Sequence, residues 1–368
     1  MKVIIAGGGT GGHLFPAVAL GEELIRGRPG TEVLYVGTRY GFEAKWFPNR
    51  GYRYELFDVH GLMGGRGAMA RAKSIIEMAR AILLSRATLK KFAADLVVTA
   101  GGYASAPMGV AAILSRVPLI LMEQNATPGF SNRMLWRFAD RICVGFEDVA
   151  GYFNPAKVVV TGNPIRYVPQ PDRSRKSGDH FQILVLGGST GAHRLNLGVL
   201  KAFKIWRNSV INFEVAHQTG EADEVLVRAE YGNLSLNAKV LPFIDDIAGA
   251  LHRCDLVIAR AGANTLTDIA LAARPAIFVP YPFHRDRQQE QNAKVLERVG
   301  GAVTVIDDDN LAPNLACEME RLTANPQLLI EMGNKAHNAV PADAAARIAR
   351  VCFDLIDNRN DTRGGKSA

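Results

Sequence analysis

Short apolar runs separated by stretches of helical periodicity recur along the whole chain. In the first half, Val3–Ala6, Val33–Val36, Leu96–Thr99, Leu119–Met122 and Ile142–Val144 are continuous apolar segments of strand length. In the second half, Ile183–Leu186, Phe213–Ala216, Val240–Leu241, Leu256–Ala259, Ala276–Val279 and Val303–Val305 repeat the pattern. Runs without polar alternation predict strands buried on both faces, as in a parallel sheet. Between them, apolar residues return roughly every three to four positions, for example over Ala17–Arg26 and Leu266–Ala273, which predicts amphipathic helices. Strands alternating with helices mean βαβ units and an α/β fold.

The pattern also starts over once. Met1-Lys-Val-Ile-Ile-Ala-Gly-Gly-Gly-Thr-Gly-Gly-His13 is echoed by Gln182-Ile-Leu-Val-Leu-Gly-Gly-Ser-Thr-Gly-Ala-His193. Each is a strand, a glycine-rich turn with a hydroxyl residue, and a helix start. Two such beginnings in 368 residues predict two Rossmann-like domains. Gly162-Asn-Pro-Ile-Arg-Tyr-Val-Pro-Gln-Pro171 and the polar residues after it read as a proline-stiffened linker. The expected division is 1–164, 165–340, and a segment 341–368 whose helix packs back on the first domain before a polar tail. Ligands of such sheets bind beyond the strand C-termini, so parallel sheets facing a central cleft are the expected frame.

Charge and cysteine usage narrow the function. The net charge is +7, which favours an anionic partner: nucleic acid, a phosphate-bearing metabolite or an acidic membrane surface. Cys143, Cys254, Cys317 and Cys352 stand far apart with no C-x-x-C pair, which excludes a zinc ribbon and argues against a disulfide scaffold. The first residues run directly into glycines without a signal-peptide pattern, so the expected setting is cytosolic. No run reaches the ~18 apolar residues of a membrane span, so any membrane contact is made from the surface.

Several motifs carry candidate chemistry. Gly7–Gly12 satisfies G-x-G-x-x-G, but the second strand ends in Gly37-Thr38 where a dinucleotide site has an acid. What survives is the general property of glycine turns before helices: close backbone approach and N–H groups that attract anions. A third glycine turn, Gly101-Gly-Tyr-Ala-Ser-Ala-Pro107, follows another strand, and three such turns suggest a cleft for more than one phosphate. Gly187–Gly191 also matches G-x-S-x-G, and Ser189, Asp268 and His284 have a hydrolase-like order. The same turn in the first domain carries Thr10 instead, so Ser189 is read as a phosphate contact. Asp307-Asp-Asp309 contains D-x-D but precedes Asn310-Leu-Ala-Pro, and is read as a loop and helix cap without metal. His13, at the end of the first glycine turn, is either a structural hydrogen-bonder or a proton acceptor. Gln288, Gln289 and Asn292 lie on neighbouring helical positions, either as a solvated face or as readers of sugar hydroxyls. Residues 71–92 form a basic amphipathic stretch, either a core helix with a solvated face or a helix lying on anionic lipid, helped by 134–138.

The motifs together resemble the MurG family of peptidoglycan N-acetylglucosaminyltransferases. The resemblance is carried by 7–17 (Gly-Gly-Gly-Thr-Gly-Gly-His-Leu-Phe-Pro-Ala), the turn at 101–107 and Glu-Gln-Asn at 123–125. It continues through Gly-Asn-Pro-Ile-Arg at 162–166, Arg-Ala-Gly-Ala at 260–263 and Asp-Arg-Gln-Gln at 286–289, in order from residue 1 to about residue 350. It implies a GT-B arrangement of two Rossmann-like domains and an inverting, metal-free transfer from UDP-N-acetylglucosamine to lipid I, giving lipid II. It also implies no cofactor, no nucleic-acid partner, and a peripheral position on an anionic surface, the cytoplasmic face of the bacterial cell membrane. Carried over by position, Ser189 and its turn hold the diphosphate, while Arg166, Phe243 and Ile244 surround uracil. Asp268 meets the ribose, and Ala263, Gln288, Gln289 and Asn292 face the sugar hydroxyls, with Asn264 and Thr265 completing the substrate-binding set. Thr10, Gly11, Gly12, His13 and Asn125 line the acceptor side, with His13 the candidate base and Glu123 the next. The sequence departs from the family pattern at Asp268, where Glu is usual, and at Met122, where His is usual. Related alternatives are a GT-B enzyme for another lipid acceptor and a UDP-GlcNAc 2-epimerase.

Overall fold

The computed structural model describes residues 1–58, 68–165, 180–188, 191–206, 212–283 and 286–364. The chain forms two compact units, Met1–Arg166 together with Asp343–Ala368, and Tyr167–Ala342. Most of the expected linker, Arg166, Ser189, His284 and the last four residues of the tail lie outside the described residues.

In the first unit the order is β1 (Lys2–Ala6), α1 (Gly11–Gly27), β2 (Glu32–Thr38), α2 (Phe42–Trp46), β3 (Tyr54–Phe57), α3 (Ala68–Phe92) and β4 (Leu96–Thr99). It continues with α4 (Ser105–Leu114), β5 (Leu119–Glu123), α5 (Phe130–Leu135), β6 (Arg141–Val144), α6 (Glu147–Ala150) and β7 (Val158–Val160). The second unit contains β8 (Phe181–Leu186), α7 (His193–Trp206), β9 (Phe213–Gln218), α8 (Glu224–Asn233), β10 (Ala238–Leu241) and α9 (Ile247–Arg253). It closes with β11 (Leu256–Ala259), α10 (Ala263–Leu271), β12 (Ala276–Phe278), α11 (Gln288–Glu297), β13 (Ala302–Thr304), α12 (Leu311–Thr323) and α13 (Pro326–Asn338). The last helix, α14 (Ala344–Gly364), belongs to the first unit.

Both sheets are parallel throughout, ordered β3-β2-β1-β4-β5-β6-β7 and β10-β9-β8-β11-β12-β13. Strand alternation sends successive side chains to opposite faces. In the first sheet Ile4, Ala6, Leu34, Val97, Leu121 and Ile142 pack with α3, α4 and α5. Val3, Ile5, Val33, Val98, Ile120 and Cys143 face the other way, against α1 and α14. Ile348, Cys352 and Ile356 of α14 enter that second cluster, and Arg28 after α1 pairs with Asp357 at 2.6 Å.

The strands that sequence periodicity did not reveal, β3 and β7, are the two edges of the first sheet. An edge strand buries less, and Tyr-Glu-Leu-Phe in β3 mixes charge and apolar surface accordingly. The order reversal in each sheet falls between the strand that opens the unit and the fourth strand in sequence: β1 and β4, then β8 and β11. Strand C-termini at such a switch point leave a crevice between connections that go to opposite faces of the sheet. The glycine turns after β1 and β4, and those after β8 and β11, lie at these two points.

Candidate active site

At the first switch point the two glycine turns are locked together backbone to backbone. Ala100 N–H donates to Ala6 O and Gly7 N–H to Val36 O, which levels the ends of β4, β1 and β2. Gly102 has φ +84°, and a Cβ there would overlap the Gly8 carbonyl, so only glycine permits this approach. The turns are also held from below by Glu43, which sequence reasoning passed over. Its carboxylate is fully buried and accepts from Gly9 N at 2.7 Å, Thr38 N at 2.7 Å and Thr38 Oγ1 at 2.9 Å. The acid missing at the end of β2 is therefore supplied five residues later, and it binds the loop itself. A carboxylate so engaged does not offer itself to a ribose.

His13 is half-buried in the first turn of α1, with its ring against Gly101. Its Nδ1 stands 3.5 Å from Thr10 Oγ1, at the limit of a hydrogen bond. Desolvation holds the imidazole below its usual value, while the Gly8 backbone and the Glu43 charge pull the other way. A neutral imidazole at neutral pH is able to accept a proton. Thr10 and Gly12 are exposed and Gly11 is buried beneath them.

Glu123, the second candidate base, is buried and densely hydrogen-bonded. Its carboxylate accepts from Asn125 N (3.0 Å), Asn125 Nδ2 (3.2 Å), Gly129 N (2.8 Å) and Asn132 Nδ2 (2.8 Å). Burial raises its pKa and these bonds oppose the rise. With four donors on two oxygens, Glu123 organises the 123–132 connection and points Asn125 from it. Met122, where the family usually has His, is buried in the core between sheet and α1. At the next strand ends, Gln124 Nε2 donates to Ala100 O and Asn163 Nδ2 to Gln124 O. The Glu-Gln-Asn and Gly-Asn-Pro motifs thus lace β4, β5 and β7 along one edge.

The second unit repeats the plan. Gly191 has φ +80°, and a Cβ there would overlap Thr219 O, so the turn after β8 rests on the end of β9. Gln218 Nε2 donates to Gly188 O at 2.7 Å and fixes the same contact. At β11, Arg260 is buried and anchors the turn before α10. It donates to Val279 O (2.9 Å), Pro280 O (3.2 Å) and Asp307 Oδ2 (2.8 Å). Asp307 also accepts from Arg194 Nε at 2.9 Å. The D-x-D segment is therefore no simple cap: Asp307 is the buried partner of two arginines, and Asp308 accepts from Asn310 N at 2.8 Å. Asn310 precedes α12 without a side-chain cap bond.

Asp268 lies half-buried in α10, and desolvation raises its carboxyl to about 7. Among the described residues its carboxylate makes no hydrogen bond or ion pair, while its backbone carbonyl accepts from Ala272 N. Ala263 is buried at the start of α10, with Asn264 and Thr265 half-buried after it. Gln288 and Gln289 are half-buried at the start of α11, and Gln289 Oε1 accepts from Tyr281 N at 2.9 Å. Asn292 is different: it is buried, and its Nδ2 donates to Ala261 O at 3.0 Å, tying α11 to the turn before α10. Phe243 is half-buried and Ile244 buried in the connection after β10, which Gly220 N joins through Pro242 O. Tyr281 and Phe283 form an edge-on pair at 5.5 Å, with Arg260 over the first ring and Arg194 over the second. No sequence pattern pointed to this pair.

Helix starts at the two switch points share a property. α1, α4, α7 and α10 carry no acidic residue in the first turn, and α1, α4 and α10 have no side-chain cap bond. α5 and α12 share it, whereas Asp246 caps α9, Asn325 caps α13, and α6 begins with Glu147 and Asp148. A positive helix terminus left without a protein anion is suited to a phosphate.

Helix α3 has two faces. Ala81, Leu89 and Phe92 join the core. Ile75, Ile76, Leu83 and Leu84 are exposed, as are Leu114 of α4 and Phe130 and Met134 of α5 on the same side of the sheet, with Phe138 just beyond α5. Arg80, Arg86, Lys90 and Lys91 are exposed beside them. The side chains of Arg71 and Lys73 lie outside the described residues. No helix among the described residues is long and apolar enough to cross a membrane.

Comparison with known proteins gives consistent matches. Residues 3–144 match the glycosyltransferase family 28 N-terminal domain and residues 182–348 its C-terminal domain. A Geobacter sulfurreducens protein is 40% identical over 353 residues, covering 95% of this chain and 97% of its own. It is named UDP-N-acetylglucosamine–N-acetylmuramyl-(pentapeptide) pyrophosphoryl-undecaprenol N-acetylglucosamine transferase. The crystal structure of Acinetobacter baumannii MurG superposes with a TM-score of 0.76 at 30% identity, covering 97% of this chain and 99% of that one. A Listeria monocytogenes protein described as a UDP-N-acetylglucosamine 2-epimerase aligns with a TM-score of 0.70 at 17% identity, covering 97% of each chain, a likeness of fold alone.

Proposed function

Because the chain belongs to glycosyltransferase family 28, among the MurG N-acetylglucosaminyltransferases, we propose that it transfers N-acetylglucosamine from UDP-N-acetylglucosamine to lipid I. The product is lipid II, the disaccharide unit of peptidoglycan. The observation that carries this reading is the placement of the motifs. Acceptor-type glycine turns occupy the switch point of the first unit, and donor-type turns that of the second.

The reaction joins the C4 oxygen of the muramyl sugar to C1 of GlcNAc while the C1–phosphate oxygen bond breaks. UDP leaves with the electron pair, the C4 hydroxyl proton goes to a base, and attack opposite the leaving group inverts C1. His13 is the base, since desolvation keeps its imidazole neutral and the glycine turns hold it beside the acceptor loop. Thr10, Gly11, Gly12 and Asn125 contact the acceptor. In the second unit, Ser189 with its turn and the α7 start stabilise the diphosphate by backbone N–H groups and helix dipole. Arg166, Phe243 and Ile244 hold uracil, and Asp268 accepts from ribose hydroxyls. Gln288 and Gln289, with Ala263, Asn264 and Thr265, read the sugar. Asn292 acts through the Ala261 carbonyl, shaping that pocket. The transfer proceeds without a divalent metal, because Asp307 is already engaged by Arg260 and Arg194.

The acceptor's polyprenyl chain calls for a lipid surface. The exposed Ile75, Ile76, Leu83 and Leu84, with basic residues around them, suit an anionic bilayer, which supports a peripheral position on the cytoplasmic face of the cell membrane. The test is UDP release by purified protein given UDP-GlcNAc and a short-chain lipid I analogue. Release that depends on the analogue supports the reading. Release without it, or none, refutes it.

A further inference from the structure

Behind the donor-side glycine turn lies a chain of buried polar side chains that the transfer mechanism does not use. His193, the first residue of α7, holds Nδ1 at 2.8 Å from Asp223 Oδ1. The other oxygen of Asp223 accepts from Asn196 Nδ2 at 2.8 Å, and the same nitrogen donates to Thr219 O at 2.9 Å. Asn196 Oδ1 stands 3.1 Å from His217 Nε2, and His217 Nδ1 stands 2.9 Å from the Tyr231 hydroxyl. Asn196 and His217 are fully buried and Tyr231 nearly so.

The donor and acceptor roles in this chain are determined. Burial pushes His217 down to about 3, so its ring is neutral and carries one N–H. Asn196 Oδ1 only accepts, because its Nδ2 is the atom turned to Asp223 and Thr219. His217 therefore donates from Nε2 and accepts the Tyr231 hydroxyl at Nδ1. At the other end Asp223 only accepts, so His193 donates from Nδ1. That leaves His193 Nε2 as the outer atom of the chain, on a side chain that is 61% exposed.

The same strand end supports both the network and the glycine turn. Thr219 O receives Asn196 and lies where a Cβ on Gly191 would go, while Gln218 donates to Gly188. His193 is thus fixed relative to the turn, which a surface histidine without Asp223 would not be.

We propose that His193 is a further binding residue for the donor diphosphate, presented by Asp223 so that Nε2–H hydrogen-bonds a phosphate oxygen of the bound nucleotide sugar. This rests on the donor reading above and adds to it a residue outside the glycine turn. Because Nδ1 already carries a proton for Asp223, donation from Nε2 requires the imidazolium, so the contact is charge-assisted. Among the described residues, Asp223 from the β9–α8 connection faces the ring, exposed Glu221 lies on the same connection, and Arg194 beside it on α7 is turned to Asp307. His217, farther along the chain, stays neutral.

The experiment compares UDP-GlcNAc, whose diphosphate has no ionisation near neutral pH, with uridine, which has no phosphate. Dissociation constants are measured by calorimetry or competition between pH 5.5 and 8.5 for the wild-type chain and for His193→Ala, His193→Arg and Asp223→Asn. The charge-assisted contact predicts that His193→Ala weakens UDP-GlcNAc roughly tenfold to a hundredfold at the acid end and leaves uridine unchanged. It also predicts that the wild-type advantage fades as pH rises, and that His193→Arg keeps the affinity and removes that pH dependence. Asp223→Asn is expected to act in the same direction as His193→Ala. UDP-GlcNAc affinity unchanged in His193→Ala overturns the proposal, as does an equal loss for uridine. His193 is exposed, so its variants report on binding even where Asp223→Asn fails to fold. A wild-type chain that binds no UDP-GlcNAc would instead overturn the donor reading itself.

Discussion

Replacing Glu43 with glutamine asks whether a buried charge holds the acceptor-side glycine turns. The carboxylate is fully buried and accepts three hydrogen bonds, from Gly9 N, Thr38 N and Thr38 Oγ1. A glutamine carbonyl can keep the two Thr38 bonds, but its amide nitrogen then faces the Gly9 N–H, donor against donor. Turning the amide over satisfies Gly9 and strands Thr38 instead. Either way a buried N–H loses its acceptor, at a cost of ~1–3 kcal/mol. The remaining bonds lose their charge assistance, which roughly halves them, for a total of ~2–5 kcal/mol. In a unit of this size each kcal/mol moves Tm by about 2–4 °C, so Glu43→Gln is expected to lower it by roughly 5–15 °C. Thermal unfolding followed by circular dichroism measures this. Glu55→Gln serves as the control, since Glu55 is half-exposed and, among the described residues, accepts only from Thr88 at 2.7 Å and a distant Lys91. Glu43→Gln should also raise the acceptor KM while leaving UDP affinity alone. A Tm within about 2 °C of the control would refute the argument that Glu43 carries the loop.

Other perturbations separate the remaining roles. His13→Ala is expected to keep donor affinity while kcat falls at least ~10²-fold and the acidic limb of the pH–rate profile disappears; a change confined to acceptor KM would make His13 a binding residue. Gln289→Ala should blunt discrimination between UDP-GlcNAc and other UDP-sugars more than it weakens UDP, because Tyr281 N–H fixes the amide with its nitrogen as the ligand donor; equal losses would place Gln289 outside the sugar pocket. Asp268 has a folded-state pKa raised from 3.8 to about 7, so the folded state holds the proton more tightly and stability falls as pH rises through that window. Asp268→Asn should therefore gain thermal stability over wild type between pH 4 and 7 and hold the gain above it; a constant difference across that range contradicts the burial argument. Sedimentation with vesicles should show binding that rises with anionic lipid, falls with salt, and drops in Leu83→Glu, at ~1 kcal/mol for each basic residue near the surface; indifference to lipid charge and salt would leave the outer side of α3 as ordinary solvated surface.

What the sequence showed and what it hid follow from the range of the interactions. Central strands such as β1, β4 and β8 are buried on both faces, so continuous apolar runs reveal them. Both edge strands cover less; β3 is mixed in composition, whereas β7 is the all-valine run Val158–Val160, left half-exposed at the sheet edge and passed over although its pattern is apolar. The glycine turns were legible because backbone contact excludes every other residue there, as at Gly102 and Gly191. Glu43 was not legible, because its partners Gly9 and Thr38 are brought to it only when β1 and β2 pair. The same holds for Asp307: a local pattern of three aspartates looks like a cap, while its partners Arg194 and Arg260 come from α7 and the end of β11. Glu123 stands out as a member of a motif, but its four donors, from Asn125, Gly129 and Asn132, come to its carboxylate only when the 123–132 connection folds. Phe92 ends the basic stretch 71–92, and the core claims it because α3 packs against the sheet and α4.

The most direct test of the central claim is the identity and stereochemistry of the product formed from UDP-GlcNAc and a soluble lipid I analogue. Proton NMR of that product should show a new glycosidic bond from C1 of GlcNAc to the muramyl C4 oxygen, in the β configuration inverted from the α-linked donor, with one UDP released per bond. Without acceptor, UDP-GlcNAc should remain unchanged. Formation of UDP-N-acetylmannosamine, an α linkage, or transfer to another hydroxyl would contradict the account.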